Sequence, residues 1–235
     1  MLRVSFRVFL ACALVAATPA LAVTFSFASD DNHDGPTFQG HSGGSMPDDF
    51  NEASAFSVDS IVNVDLMVDL NHDVGGGIVI FPSEFTFDGT ISNYTLDSRG
   101  GNWVHSWDVS GSFNFRHAGT GQLLLVVRFE NALLTTLSPS PGSLGETATL
   151  QDSEGVDSGI SFQTFTLLQG IGVPSSAVTL SEDFAFTMTR IRRSTGIGLP
   201  FIDHGEFLNG WISEGSFSAH ATGFSPADPD EEAVP

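Results

Sequence analysis

Alternation is the feature that most limits what this chain can fold into. From Val62 to Leu70, Val62, Val64, Leu66, Val68 and Leu70 take every second place, with Asn63, Asp65, Met67 and Asp69 between them. Successive side chains of a β-strand point to opposite faces, so this run lays five aliphatics on one face and two carboxylates on the other. The same period of two recurs at Val23-Phe25-Phe27, Phe85-Phe87, Phe113-Phe115, Phe184-Phe186-Met188 and Phe217-Ala219-Ala221. Leu123 to Val127 is apolar at every position and predicts a central strand covered on both sides. Turn signals separate the runs at Asp34-Gly35, Asp88-Gly89, Arg99-Gly100-Gly101, Gly119-Thr120-Gly121 and Pro139 to Gly145. Weak helical signals lie at Pro47 to Ala55 and Phe165 to Leu168.

About ten short strands with glycine-rich turns and one shared interior predict an all-β fold, an antiparallel β-sandwich or jelly roll. It occupies residues 23–222 as a single domain. Residues 223–235 hold Ser225-Pro-Ala-Asp-Pro-Asp-Glu-Glu-Ala-Val-Pro235, with almost nothing to bury, and are expected to be a disordered acidic tail.

The first 22 residues have the layout of a signal peptide. Arg3 and Arg7 precede an apolar run from Val8 to Ala17, and Ala20 and Ala22 occupy the small-residue positions of a cleavage site. The run is shorter than the ~20 residues that a spanning helix needs. Val23 is therefore expected to be the mature N-terminus of an exported chain, secreted or held at the cell surface or in the periplasm, with no membrane span. Cys12 is the only cysteine and sits inside the signal, after a poor lipobox. The mature chain then has no disulfide, no thiolate metal site and no thiol nucleophile.

Charge removes further classes. The chain has no lysine, and its eight basic residues are all arginine against 28 Asp and Glu. With Arg3 and Arg7 removed the formal charge goes from −20 to −22. Such a surface repels nucleic acid and anionic membranes and attracts cations. Without lysine there is no Schiff-base chemistry and no P-loop lysine.

Two acidic turns share the pattern D-x-N-H-D. One contains Asp30, Asn32 and Asp34, the other Asp69, Asn71 and Asp73. Short oxygen-bearing side chains at alternate positions, with Gly35 closing the first copy, are how calcium loops begin. An EF-hand would need Glu at its twelfth position, where the two copies hold His41 and Ile80. Calcium is thus the one cofactor expected, with polar turns the alternative. His33 and His72 offer a transition metal as a third choice, and Asp152 to Asp157 is a weaker acidic loop of the same kind.

Trp103, His105 and Trp107 share one face of a strand and suggest an aromatic platform for a sugar, or else membership of the core, since Val109, Phe113 and Phe115 follow on the same parity. Gly40-His41-Ser42-Gly43-Gly44 spells the nucleophile elbow of a hydrolase, but no strand–turn–helix pattern surrounds it. Arg190, Arg192 and Arg193 concentrate positive charge for an anion or for neighbouring carboxylates.

The exported start, the Phe-, Gly- and Ser-rich strands and the acidic, proline-containing end resemble secreted exoproteins of environmental Gram-negative bacteria, many of which carry a PEP-CTERM sorting tail. Of that tail the sequence holds only Ala233-Val234-Pro235. The resemblance implies export and no particular activity. The expectation is a non-enzymatic structural protein of the cell surface or extracellular matrix, stabilised by calcium, with polysaccharide or other matrix components as partners. A carbohydrate-binding module and a secreted hydrolase are the alternatives.

Overall fold

The computed structural model describes residues 23–28, 38–43, 54–58, 61–70, 77–153, 159–178, 184–194, 197–203, 205–207 and 210–221. They form fourteen strands and one short helix. In chain order these are β1 (Val23–Ala28), β2 (Phe38–Gly43), β3 (Ser54–Val58), β4 (Val62–Asp69), β5 (Ile78–Arg99), β6 (Asn102–His117), β7 (Leu123–Ser138), β8 (Ala148–Gln151) and β9 (Ser161–Thr164). There follow α1 (Thr166–Gln169), β10 (Ser176–Val178), β11 (Phe184–Arg193), β12 (Ile202–Asp203), β13 (Glu206–Phe207) and β14 (Trp211–Ala221). The chain is all-β and antiparallel, as its alternation predicts.

The pairing closes on itself. Going round, β1 pairs with β4, β4 with β5, β5 with β6, β6 with β7, β7 with β8, β8 with β11, β11 with β14, and β14 with β1 again. Two shorter strands continue the wall beyond β1 and β4. The strand β2 lies along β14 at Trp211 to Ser213, and β3 lies along β5 at Asp88 to Ile91. The pair β9–β10 extends the other side from β7. A closed ring of eight strands is just wide enough for its own side chains.

Phenylalanine fills that space. Phe27, Phe38, Phe85, Phe87, Phe113, Phe115, Phe129, Phe184, Phe186 and Phe217 are buried, each in ring contact with others of the set. Phe113 is central, with centroids 4.8 Å from Phe87, 5.0 Å from Phe129 and 5.2 Å from Phe186. Tilted and edge-on pairs at such distances add about 0.5–1.5 kcal/mol each beyond the area they bury.

The outer wall is different in kind. A row of hydroxyls crosses six strands in register, from Thr95 through Ser106, Thr135, Thr149 and Thr187 to Ser216. No helix among the described residues is long and apolar enough to cross a membrane.

The structure corrects one turn and completes another. Asp88-Gly89 reads as a turn but lies within β5, where Gly89 stands opposite Gly111. A Cβ at Gly111 would come 2.3 Å from the Asp88 carbonyl oxygen, so the two glycines serve close strand approach, not reversal. Arg99-Gly100-Gly101 is the expected turn. Both glycines have positive φ, 62° and 88°, and Arg99 pairs with Asn102 across a two-residue hairpin loop. The helical signal at Phe165 to Leu168 appears as α1, whose Leu168 is buried. In the other, Ser54 and Ala55 belong to β3 instead, and 47–53 lie outside the described residues. Of the unbroken apolar run Leu123 to Val127, Leu123 is half-buried and the other four residues are buried.

Candidate functional site

One end of the barrel holds a cluster unlike the phenylalanine interior. It begins with a β-bulge. On β5, Ser92 pairs with Asp108 and Thr95 with Ser106, so Asn93 and Tyr94 together oppose Trp107 alone. Asn93 takes φ 51°, a left-handed conformation that asparagine tolerates better than most residues, and its amide donates to Asp108 Oδ2 at 2.7 Å. The extra residue turns Tyr94 towards the interior, where it is packed against the core.

Tyr94, His105 and Trp107 form a stack. His105 and Trp107 lie 5.9 Å apart with ring planes 12° from parallel, and Tyr94 lies 5.9 Å from His105 and 5.3 Å from Trp107. The Tyr94 hydroxyl and His105 Nδ1 share a hydrogen bond of 2.9 Å. His105 is fully buried, and its Nε2 has no hydrogen-bond partner among the described residues. Burial pushes its pKa below the ordinary histidine value, and the neighbouring Ser140 backbone acts in the opposite sense. Burial likewise raises the Tyr94 phenol.

Two segments close over this stack. The Trp107 indole N–H donates to the Gly205 carbonyl at 2.8 Å, in the small β12–β13 hairpin. The loop after β7 is pinned by Ser138, whose hydroxyl donates to Ser140 O at 2.9 Å and bonds Ser143 Oγ at 3.0 Å. Loop and hairpin are zipped together, Leu144 N–H to Pro200 O and Ile202 N–H to Gly142 O. Gly205 has φ 90°, and a Cβ there would fall 2.6 Å from the Tyr94 ring. Gly205→Ala is therefore expected to lower stability by about 1–3 kcal/mol in denaturant unfolding, through overpacking and backbone strain together. Gly77→Ala, where nothing lies within 4 Å, is expected to stay within about 0.5 kcal/mol.

The three aromatic positions singled out in the sequence do share a face, and that face turns inward. His105 and Trp107 have no accessible surface, so a sugar ring has nothing to stack on there, and Trp103 is half-buried. Trp211 is buried as well. Ser42 lies within β2, opposite Phe56, so Gly40 to Gly43 is strand and not a strand–turn–helix elbow. Arg190 pairs with Glu214 at 2.8 Å across a bulge, and Arg193 lies over the Phe201 ring at 4.8 Å. Asp69 ends β4, exposed, between Thr24 and Ile78. Asp30, Asn32, Asp34, Asn71 and Asp73 lie outside the described residues, as do His33 and His72. Asp152 and Ser153 head the third acidic loop, and Asp152 Oδ1 and Ser153 Oγ are buried with no partner among the described residues. The described residues hold no group of three or more metal-ligating side chains.

Tyr94 and Gly205 were not visible as site residues in the sequence. Tyr94 is the only tyrosine, but nothing local marks the bulge that turns it inward. Comparison of the chain with protein-family models, with curated proteins and with solved structures finds no match.

Proposed function

We propose that this chain is exported and serves as a non-enzymatic structural component of the cell surface or extracellular matrix, with calcium held at its acidic turns as a stabilising ion. One observation carries the reading: among the described residues the ring of strands is filled by its own phenylalanines, so the barrel invests its interior in rigidity. The signal-like start, with its cleavage site directly before β1, supports export. An excess of 20 negative charges supports a cationic ligand, and two inward-turned oxygens at Asp152 and Ser153 give that ligand a third place to bind. Matrix polysaccharide, bridged through calcium or hydrogen-bonded along the hydroxyl row, is the partner this surface suits.

The test is fractionation of cells producing the full chain, N-terminal sequencing of the exported product, and melting with and without calcium. The expected product begins at Val23. Calcium at about one hundred times its dissociation constant is expected to add about 2.7 kcal/mol, or roughly 5–10 °C in a domain of this size. Asp30→Asn with Asp34→Asn should remove most of that rise. A product retained in the cytoplasm would overturn export, and a melting curve indifferent to millimolar calcium would overturn the ion.

A further inference from the structure

We propose that the capped end of the barrel is an acid-released clasp: protonation of His105 frees the loop 139–145 and the hairpin 200–207 while the phenylalanine-filled body stays folded. The geometry points to it in three ways. His105 is wholly buried against two aromatic rings that also meet each other, and its side-chain hydrogen bond goes to a neutral phenol. A second proton would put a charge on a ring with no accessible surface, where burial opposes it more than the neighbouring Ser140 backbone favours it. The closing segments lie outside the ring of strands. The hairpin has two residues per strand, belongs to a separate two-stranded sheet, and reaches the stack through the Trp107–Gly205 hydrogen bond and the Gly205–Tyr94 contact.

Among the described side chains no carboxylate acts on His105. From β5, Tyr94 faces the ring, while Asp97 is exposed and paired with Arg99. From β6 the neighbours are Trp103 and Trp107, and from β7 Thr136 and Ser138. The loop brings Ser140 and Ser143, and the hairpin carries Asp203, which is exposed, with His204 and Glu206 in its sequence.

The sign follows from linkage. In the open state His105 titrates as an ordinary histidine, near pH 6.5, whereas the closed state holds it neutral to lower pH. Closure is therefore fully supported above about pH 6.5 and weakens as pH falls through the window below it, down to the lowered value of the closed state.

The experiment is amide hydrogen exchange by mass spectrometry on the whole protein at pH 7.5 and 5.5, corrected for intrinsic exchange rates. Protection of 139–145 and 200–207 is expected to drop severalfold, with about tenfold the ceiling that an open-state pKa near 6.5 sets between these two pH values, while 113–115 and 184–188 keep theirs. His105→Gln, which can still accept from Tyr94 but cannot gain a charge, should abolish the drop. The clasp is overturned if the two segments keep their protection at pH 5.5, if the whole chain loosens together, or if the glutamine variant shows the same drop. Should that variant fail to fold, nuclear magnetic resonance of the wild-type imidazole decides. Slow opening coupled to His105 protonation supports the clasp, and free titration with an ordinary pKa and no exchange response refutes it.

Discussion

Phe113→Ala is expected to cost about 3–5 kcal/mol of unfolding free energy, a large part of the 5–15 kcal/mol that a domain of ordinary stability possesses. Phe113 is fully buried and meets the rings of Phe85, Phe87, Phe129, Phe184, Phe186 and Phe217, contributed by β5, β7, β11 and β14. Removing its ring subtracts transfer free energy and leaves a cavity that a closed wall cannot collapse to fill. Urea unfolding monitored by circular dichroism measures the loss. Leu137→Ala, at a position 54% exposed, is the control and should fall within about 0.5 kcal/mol. Equal effects at the two positions would show that the rings do not form one packed interior.

The second large effect concerns closure. Ser26 has a neighbour on both sides, Ser218 of β14 and Met67 of β4, and its side chain faces outward, so it contributes little packing. Ser26→Pro removes a ladder hydrogen bond and imposes a fixed φ in a strand with no free edge. A loss of about 3 kcal/mol or more is expected, seen as a lower unfolding midpoint or as protein that does not refold. Ile78→Pro, at the first residue of β5 with β4 on one side, should cost much less, because proline is tolerated where a strand begins. A Ser26→Pro protein with an unchanged midpoint would mean that β1 is an appendage and the ring is not closed through it.

Fold class was legible in the sequence because alternation is a local signal. The inward residues of β1, β4, β11 and β14 are those that the period of two marks, from Val23, Phe25 and Phe27 to Phe217, Ala219 and Ala221. Length was not legible in the same way. β5 runs through Asp88-Gly89 because a glycine on the facing strand makes room for it, and that partner is 22 positions away in the chain. Closure depends on which strand meets which, and alternation carries no information about partners. The stack at the capped end was half legible. The shared parity of Trp103, His105 and Trp107 was visible, but the sign of that face, inward or outward, is set by the wall around it. Tyr94 joins through a bulge that only register reveals, and Gly205 through a contact made from 111 residues along the chain.

Thr24 and His220 touch across the seam of the ring, 196 residues apart. A polypeptide is made from its N-terminus, so the strand that emerges first must wait for the strand that emerges last. Until then β1 and β14 each lack a neighbour, and the distant pairings that slow folding most remain unmade. The ring is sealed only once the last strand of the sequence is in place, so closure is the late step of folding.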